Sequence, residues 1–388
     1  MAIIVRRITP YHGARFGSLR RRMRFHVIEV SGDIGGHRAE HIKGERQYDV
    51  TTLFRQWPSS QQAVQDGVLS ILDSLRPEVI AITGWVFCES MAALWWALRR
   101  SVPTVVMSDS HRRTSVPREL GRRLLIDSFD TALVAGGPQV RLMLRHKMNP
   151  ANVFVGYNAV DNDHFAYGAD RARRDQDRVR RRYGLPRQYV LAVARMVSEK
   201  NYPGLVEAFH RYRQRGGIRK LVIVGEGPER DVIERCIADF RLEDVVQVRG
   251  LEGYDTLPSL YGLADALILA SARESWGLVV NEAMAAGLPV LVSNRCGCAE
   301  DLVRPGVNGY VFAASDTDEI ADALCKLEAV DSVEMGRRSR ELIRPWGLEA
   351  FSSGFTSAAI RAASLRSTRS MSLLRVRAIR LLSAVASQ

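Results

Sequence analysis

The chain has 388 residues, of which 46% are hydrophobic and 25% are charged. This composition excludes a disordered protein, and the length exceeds what one hydrophobic core usually organises, so we expect two domains. The formal net charge of +12 suits an anionic partner. Because the sequence contains no RNA- or DNA-binding motif, we do not expect that partner to be a nucleic acid.

In the first part of the chain, apolar segments alternate with amphipathic ones. Strands followed by helices in regular alternation are typical of a parallel sheet covered by helices, so the predicted fold class is α/β. Helices are predicted over residues 59–75 and 90–99 and near Leu120. The predicted strands are MAIIVRRI, FHVIEVSG, VIAITGW, VPTVVMSD, TALVAG and NVFVGY.

The same alternation begins again at Tyr189 and continues to about Pro345. We therefore predict a Rossmann-like domain over residues 1–165 and a second one over residues 189–345, facing each other across a cleft. The arginine-rich stretch between them, 166–188, lacks apolar periodicity and is predicted as a linker. Residues 346–388 form a separate C-terminal segment.

Two glutamates, Glu274 and Glu282, lie around a turn that opens a helix predicted over residues 278–286. Eight residues along a helix span roughly 12 Å, which is wide for two carboxylates that share one acid/base reaction. We interpret them as groups that bind the two ends of one extended ligand. On spacing alone, the alternative that both are ordinary helix charges stays open.

Groups that suit phosphate lie between and beside these glutamates. The backbone amides around Gly277, Leu278 and Val279 are at a helix N-terminus, where unpaired N–H groups and the helix dipole attract phosphate. Arg195 and Lys200 follow the apolar strand YVLAVA in a strand-to-helix loop, where α/β sheets bind ligands. An arginine fork and a lysine charge can stabilise a leaving diphosphate. A sugar nucleotide, with hydroxyls at both ends and phosphates between, fits this set.

Three blocks of sequence carry a family resemblance. In chain order they are VLAVARMVSEKNYPGLVEAFHRY, KLVIVGEGPER, and RESWGLVVNEAMAAGLPVLVS with PGVNGYVF after it. They resemble the retaining glycosyltransferase family 4, the glycosyl transferases group 1. The resemblance implies the GT-B fold, two Rossmann-like domains across a cleft, with C-terminal helices that cross back to the first domain. It also implies a metal-independent hexosyltransferase that uses a UDP- or GDP-linked sugar and no cofactor.

The resemblance further implies roles for individual residues. In that family the glutamate matching Glu282 binds the ribose, and the one matching Glu274 meets the hydroxyls of the donor sugar. The cations matching Arg195 and Lys200 hold the diphosphate. The same donor site is expected to include Trp276, Gly277, Leu278 and Val279.

The first domain supplies two further catalytic candidates beside Glu274. The family often has a histidine at the end of the strand that matches VPTVVMSDSH. Here Asp109 falls in that register and His111 lies two residues later, and which of the two acts stays open. Residues 9–13 are predicted as a loop in which Gly13 lets the backbone approach the phosphates. Retention in the family is attributed to front-face attack, in which the departing diphosphate takes the acceptor proton, so no protein nucleophile is required.

Other functions are disfavoured by the motifs. There is no GxxxxGK[ST] loop, and GEGPER lacks the third glycine of GxGxxG, so neither an NTPase nor a dinucleotide enzyme is favoured. The triplet Asp161-Asn162-Asp163 could be a DxD metal motif, but such triplets are common by chance, and no metal site is predicted. The five cysteines include no CxxC pair. A catalytically silent sugar-nucleotide-binding subunit and a GT-B nucleotide-sugar epimerase remain as alternatives.

The basic charge lies outside the predicted donor domain. Residues 1–165 carry 22 Lys and Arg against 15 Asp and Glu, whereas residues 186–345 carry 20 against 24. This favours a glycan or lipid-linked acceptor, and an anionic membrane surface, at the first domain. Residues 371–385, MSLLRVRAIRLLSAV, could be an interfacial helix or could pack on the first domain.

The expected location is the cytoplasm, peripheral on the inner face of the plasma membrane. No signal peptide is visible at the start of the sequence. Residues 79–98 have the length and low charge of a membrane span, but Thr83-Gly84 and Glu89-Ser90 divide them into a strand, a loop and a helix. The expected setting is polysaccharide or lipopolysaccharide assembly.

Overall fold

A computed structural model describes residues 1–32, 48–111 and 116–365. The chain separates into two compact units. The first unit comprises Met1–Ala159 and Leu348–Gln388, and the second unit comprises Val160–Gly347. Each described unit contains a parallel sheet with helices, so the α/β fold class predicted from the sequence is confirmed.

The elements follow one another in chain order as strands and helices. The first unit contains β1 (Ala2–Val5), α1 (Pro10–Leu19), β2 (His26–Ser31), β3 (Asp49–Phe54), α2 (Gln61–Leu75), β4 (Ile80–Thr83), α3 (Cys88–Arg100), β5 (Thr104–Ser108), α4 (Val116–Ile126), β6 (Thr131–Val134), α5 (Gly137–Arg145) and β7 (Val153–Val155). The second unit contains α6 (Asn162–Arg174), α7 (Gln176–Tyr183), β8 (Tyr189–Val193), α8 (Tyr202–Gln214), β9 (Lys220–Val224), α9 (Arg230–Asp239), β10 (Val246–Arg249), α10 (Leu257–Leu263), β11 (Ala266–Leu269), α11 (Leu278–Ala285), β12 (Val290–Ser293), α12 (Ala299–Leu302), β13 (Gly309–Phe312), α13 (Thr317–Glu328) and α14 (Ser332–Ile343). The first unit is completed by α15 (Leu348–Leu365), and short 3-10 turns occupy Pro150–Asn152, Ser198–Lys200 and Arg344–Trp346.

The sheet of the first unit is parallel, with the strand order β3-β2-β1-β4-β5-β6-β7. In the interior strand β1, Ile4 lies opposite Ile28 on one side and Ile82 on the other. All four residues of β1 are buried, as expected for a strand covered on both faces. The sequence pattern did not predict β3, because this edge strand is only half-buried and its DVTTLF sequence has a weak apolar signal.

The second unit repeats this plan with six parallel strands in the order β10-β9-β8-β11-β12-β13. In each sheet the next two strands of the chain are added on one side of the first strand, β1 or β8. The chain then crosses back, and β4 or β11 pairs with that first strand on its other side. We call the place between β1 and β4, and that between β8 and β11, the switch point of its unit. Loops that leave neighbouring strands at a switch point diverge, which opens a crevice at the carboxyl ends of the strands where α/β sheets bind ligands.

The prediction of a linker over residues 166–188 is wrong. Most of this stretch is helical, in α6 and α7. In α6 the buried residues Phe165, Ala169 and Ala172 follow one another at helical spacing, and the helix packs against α10. The periodicity begins before the arginine-rich stretch and is therefore hidden when that stretch is read by itself.

The final described helix, α15, is part of the first unit. It buries Phe351, Phe355 and Ala358, and the hydroxyl of Thr131 in β6 donates to the carbonyl of Ala358 at 3.1 Å. Residues 371–385, for which an interfacial helix was considered, lie outside the described residues. Within the described ranges, no helix combines the length and the apolar character that a membrane crossing needs.

The prediction of a loop over residues 9–13 is also wrong, because α1 begins at Pro10. Thr9 caps the helix: its backbone N–H donates to Nδ1 of His12 at 3.3 Å, and its hydroxyl lies 2.9 Å from the same nitrogen. Proline at the first helical position supports this start. Gly13 lies inside the helix, and its N–H donates to the carbonyl of Thr9 at 3.0 Å. That amide is used by the helix and is not offered to a phosphate.

We predict that His12 makes stability depend on pH. Burial, with Arg15 and Arg7 nearby, lowers the pKa of His12 from 6.5 to about 3. Below pH 6.5 His12 therefore binds a proton in the unfolded chain but not in the folded protein. The free energy of unfolding falls as the pH is lowered from 6.5 toward 3. His12→Gln keeps a cap acceptor at this position but cannot be protonated. Between pH 7 and 4 the wild type should lose about 3 kcal/mol more than this variant in urea unfolding. Parallel curves for the two proteins would contradict the assignment.

Candidate functional site

The two predicted cations lie in the loop after β8, at the switch point of the second unit. Arg195 is exposed, whereas Lys200 is half-buried at the end of a 3-10 turn. Between them the backbone is held by Met196, which is fully buried and whose N–H donates to the carbonyl of Glu226 at 2.8 Å. The loop is thus anchored at its centre and presents cations on either side of the anchor.

Two glycines of the GEGPER segment make this anchoring possible, a role that the sequence reading missed. Gly225 and Gly227 have φ of 149° and 158°. A Cβ on Gly225 would overlap the carbonyl oxygen of Ala194, and one on Gly227 would overlap that of Met196. Side chains at either position would push the loop after β9 away from the loop after β8. The G-x-G spacing was the available signal, although it serves loop packing rather than a dinucleotide.

Glu274 lies in the loop after β11, on the other side of the same switch point. Its carboxylate forms an ion pair with Lys200, although the two residues are 74 positions apart in the chain. Their side chains are 16% and 18% exposed, respectively. The backbone of Glu274 is held from behind, because its carbonyl accepts from the N–H of Gly297 at 3.3 Å. The tertiary structure therefore brings together two of the predicted donor residues at the carboxyl edge of the sheet.

The helix predicted to begin at Leu278 begins at that residue. Gly277 precedes α11 with a φ of 104°, and a Cβ there would lie 3.0 Å from Cδ2 of Leu269. The first backbone bond of the helix runs from the N–H of Val280 to the carbonyl of Gly277 at 2.9 Å. The amides of Leu278 and Val279 precede that bond and are not needed by the helix. They supply the dipole end and the N–H groups that a phosphate prefers.

Two predicted donor residues, Trp276 and Glu282, have buried side chains. The Trp276 indole N–H donates to Oδ1 of Asn281 at 2.9 Å, and its ring centroid is 5.6 Å from that of Trp346. Its side chain packs in the core, so only its backbone can line a ligand site. Glu282 is fully buried and accepts from the hydroxyl of Tyr261 at 2.7 Å. A ribose contact by Glu282 therefore requires that its carboxylate become accessible. Tyr261 was not singled out from the sequence.

Asp109 and His111 belong to the first unit, just after β5. The side-chain amide of Gln139 donates to the carbonyl of Asp109 at 2.9 Å and lies 3.5 Å from Nδ1 of His111. Asp109 also contributes to the raised pKa of Tyr157, about 12, of which burial is the main cause. Both candidates are half-buried at the carboxyl edge of this sheet.

The residues considered for metal binding have structural roles. Oδ1 of Asp161 caps α6 by accepting from the N–H of His164 at 3.1 Å, and Asn162 donates to the carbonyl of Ile343 at 3.1 Å. No group of three or more metal-ligating side chains occurs within the described ranges. The five cysteines are free thiols, and burial raises the pKa of Cys298.

Comparison with known proteins adds to this geometry. Residues 174–341, nearly the whole second unit, match the family model of glycosyl transferases group 1. The chain carries a group 1 glycosyl transferase domain. It is 33% identical over 185 residues to an alpha-D-kanosaminyltransferase of Streptomyces kanamyceticus, a match that covers 47% of each protein. The matches thus span about half the length of such curated relatives.

Solved structures with a similar fold extend over most of the chain. A glycosyltransferase from Rickettsia africae superposes with a TM-score of 0.74 at 14% identity, over 95% of this chain and 98% of that one. HepE from Anabaena, in complex with UDP, gives a TM-score of 0.70 at 16% identity, over 92% and 98%. With two parallel α/β sheets, these similarities confirm the GT-B fold predicted from the sequence. The glycosyl transferase domain and its ion pair are therefore set in a GT-B protein.

We predict that Tyr261→Phe destabilises the protein by about 1.5–3 kcal/mol, because the fully buried carboxylate of Glu282 loses a hydrogen-bond donor. Tyr189→Phe is a matched control, since its hydroxyl is equally buried but donates to the neutral carbonyl of Leu260 at 2.6 Å. The control should lose only about 0.5–1.5 kcal/mol. Urea unfolding of both variants measures the difference. An equal or smaller loss in Tyr261→Phe would show that this hydroxyl does not stabilise Glu282.

Proposed function

We propose that the protein is a retaining glycosyltransferase that moves a hexose from a nucleoside diphosphate sugar to a glycan or glycolipid acceptor. The observation that carries the proposal is the ion pair between Lys200 and Glu274 across the switch point of the second unit. Exposed Arg195 precedes Lys200 in the same loop, and the helix N-terminus after Gly277 follows Glu274 in the chain. Cations, amides and a carboxylate thus share the edge where α/β sheets bind ligands.

In the proposed mechanism, Arg195 and Lys200 bind the diphosphate with the amides of Leu278 and Val279. Lys200 has three N–H donors, so it can keep Glu274 oriented while it also donates to a phosphate oxygen. Glu274 accepts hydrogen bonds from hydroxyls of the donor sugar, which fixes the anomeric carbon for attack. As the bond from this carbon to the diphosphate breaks, the cations stabilise the growing negative charge.

The acceptor hydroxyl then forms its bond on the face from which the diphosphate leaves. Its proton passes to the departing phosphate oxygen, so the configuration is retained and no covalent bond to the protein is needed. We propose neither a cofactor nor a metal for this step. Asp109 and His111 are proposed as catalytic groups of the first unit toward the donor sugar. UDP is favoured as one donor nucleotide because HepE, with the same fold, is described with UDP, and GDP is the alternative.

The proposed acceptor is anionic or carried at an anionic surface. The first unit carries 28 Lys and Arg against 14 Asp and Glu, whereas the second carries 27 against 29. Such a basic unit attracts a phosphate-bearing lipid, an acidic glycan or an anionic membrane. We therefore propose a cytoplasmic enzyme of polysaccharide or lipopolysaccharide assembly that binds peripherally to the inner face of the plasma membrane.

The donor site is tested by a thermal-shift panel of UDP, GDP, ADP and CDP without added metal. The matching nucleotide should raise the melting temperature, because it binds only the folded state. Arg195→Ala should weaken the affinity for that nucleotide by roughly 10- to 100-fold, since a charge-assisted hydrogen bond contributes about 1.5–3 kcal/mol. Arg187→Ala is the matched control, an exposed arginine at the opposite end of β8. Equal losses in both variants, or no shift with any nucleotide, would count against the proposed site.

The role of Glu274 is tested by separating binding from transfer. Glu274→Gln should leave the affinity for the free nucleoside diphosphate within about twofold but lower the transfer rate by at least about 100-fold, because the sugar is no longer positioned. Glu252→Gln is the control, since Glu252 pairs with Arg249 at 2.7 Å with similar exposure but lies after β10. The anomeric configuration of the product, read by NMR, tests retention. A parallel loss of nucleotide affinity in Glu274→Gln would place this carboxylate at the nucleotide instead.

A further inference from the structure

The first unit has an ion pair at its own switch point. Arg6 directly follows β1, and Glu89 lies in the first turn of α3, which follows β4. Nε of Arg6 donates to Oε1 of Glu89 at 2.9 Å, and Glu89 is almost completely buried. The other carboxylate oxygen of Glu89 accepts from the thiol of Cys88 at 3.4 Å. This pair occupies the same place in the first sheet as Lys200 and Glu274 occupy in the second.

Two aromatic rings hold the guanidinium of Arg6. Its Cζ lies 3.9 Å from the ring centroid of Phe87 and 4.4 Å from that of Trp57. Phe87 directly precedes α3 and Trp57 follows β3, so both rings come from the carboxyl edge of the sheet. Stacking on rings and the bond to buried Glu89 fix the orientation of the guanidinium. A fixed guanidinium loses little conformational entropy when it binds a ligand.

The held guanidinium still has donors to offer. Glu89 engages Nε, and within the described residues no hydrogen bond to Nη1 or Nη2 of Arg6 is seen. The side chain of Arg6 is 36% exposed. Beside it, Phe87 is 41% and its chain neighbour Val86 is 63% exposed, so two apolar side chains lie at the surface next to the charged group. The surface therefore combines a fork of N–H donors with an apolar face.

We propose that Arg6 binds an oxyanion of the acceptor, a phosphate or carboxylate, while the exposed faces of Phe87 and Val86 contact the sugar ring or chain attached to it. This rests on the proposed function, which supplies an acceptor. Carboxylates and phosphates can accept two parallel hydrogen bonds from the arginine fork, and apolar sugar faces pack on aromatic rings. The Arg6–Glu89 pair is neutral, so the attraction comes from donor geometry and from the excess of cations in the first unit.

The inference is tested with full-length protein and small probes, by titration calorimetry. Glucose 6-phosphate is the probe, and glucose is the uncharged comparison. Arg6→Gln should lower the affinity for glucose 6-phosphate by at least about tenfold. Arg6→Lys should lower it by a smaller factor, because lysine keeps the charge without the fork. Phe87→Ser should also lower the affinity for glucose 6-phosphate. Since Phe87 is exposed, this variant tests the site even if Arg6→Gln folds poorly.

Arg100→Gln is the matched control. Arg100 lies at the other end of α3, stacks on Trp96 at 4.7 Å and pairs with Asp73 at 2.6 Å, so its surroundings resemble those of Arg6 away from the carboxyl edge. Its loss should leave the affinity for the probe within about twofold. An equal effect of Arg100→Gln would show a general charge effect and overturn the inference. Wild-type affinity in Arg6→Gln would overturn it as well.

Vesicles distinguish a soluble oxyanion from a lipid headgroup. Co-sedimentation with phosphatidylglycerol vesicles is the measurement, and phosphatidylcholine vesicles are the blank. If phosphatidylglycerol vesicles bind the wild type but not Arg6→Gln, the oxyanion belongs to a lipid. If neither glucose 6-phosphate nor phosphatidylglycerol binds the wild type, the inference fails. Nucleoside diphosphate titration of the same variants separates it from the proposed function: Arg6→Gln should bind the nucleotide as the wild type does. If no nucleoside diphosphate binds the wild type, the proposed function is refuted, whereas the Arg6 site is still decided by the glucose 6-phosphate titrations.

Discussion

The reversal of strand order at the centre of each parallel sheet is the constraint on which the rest depends. At that point the loops after two neighbouring strands diverge, and the carboxyl edge stays open. In the second unit the diverging loops carry Lys200 after β8 and Glu274 after β11, and the ion pair between them links the two loops. Two half-buried charges tolerate this position because each compensates the other. The proposed sugar nucleotide, with hydroxyls and phosphates, would meet both an acceptor and a cation there.

Close backbone packing keeps these charges in place. The loop after β9 can touch the loop after β8 only because glycine stands at positions 225 and 227, where a side chain would overlap a carbonyl oxygen. Beneath the crevice, Trp276 and Glu282 use their polar atoms on Asn281 and Tyr261. These buried bonds hold the start of α11, so its first amides keep their direction. Rigid support of this kind lowers the entropy cost of binding a ligand.

The same geometry occurs in the first unit with different chemistry. Arg6 and Glu89 span its switch point as Lys200 and Glu274 span the other. There the cation is held between the rings of Trp57 and Phe87, and apolar side chains remain exposed beside it. Combined with the excess of cations in the first unit, this difference is why we propose a bulky anionic acceptor for the first unit and a nucleotide sugar for the second.

The sequence by itself determined most of the strands, the start of the helix at Leu278 and the loop positions of Arg195, Lys200 and Glu274, because apolar periodicity and glycine or proline breaks act locally. Tertiary structure decided the rest. The segment over residues 166–188 reads as polar, yet α6 packs on α10 through residues that begin before it. Gly13 reads as a loop residue, yet Thr9 and His12 start a helix around it. Trp276 sits in the donor motif, but its burial depends on Asn281 and Trp346. Likewise Lys200 meets Glu274, and Arg6 meets Glu89, only because the order of the strands brings distant loops to one edge, and strand order is a property of the whole sheet.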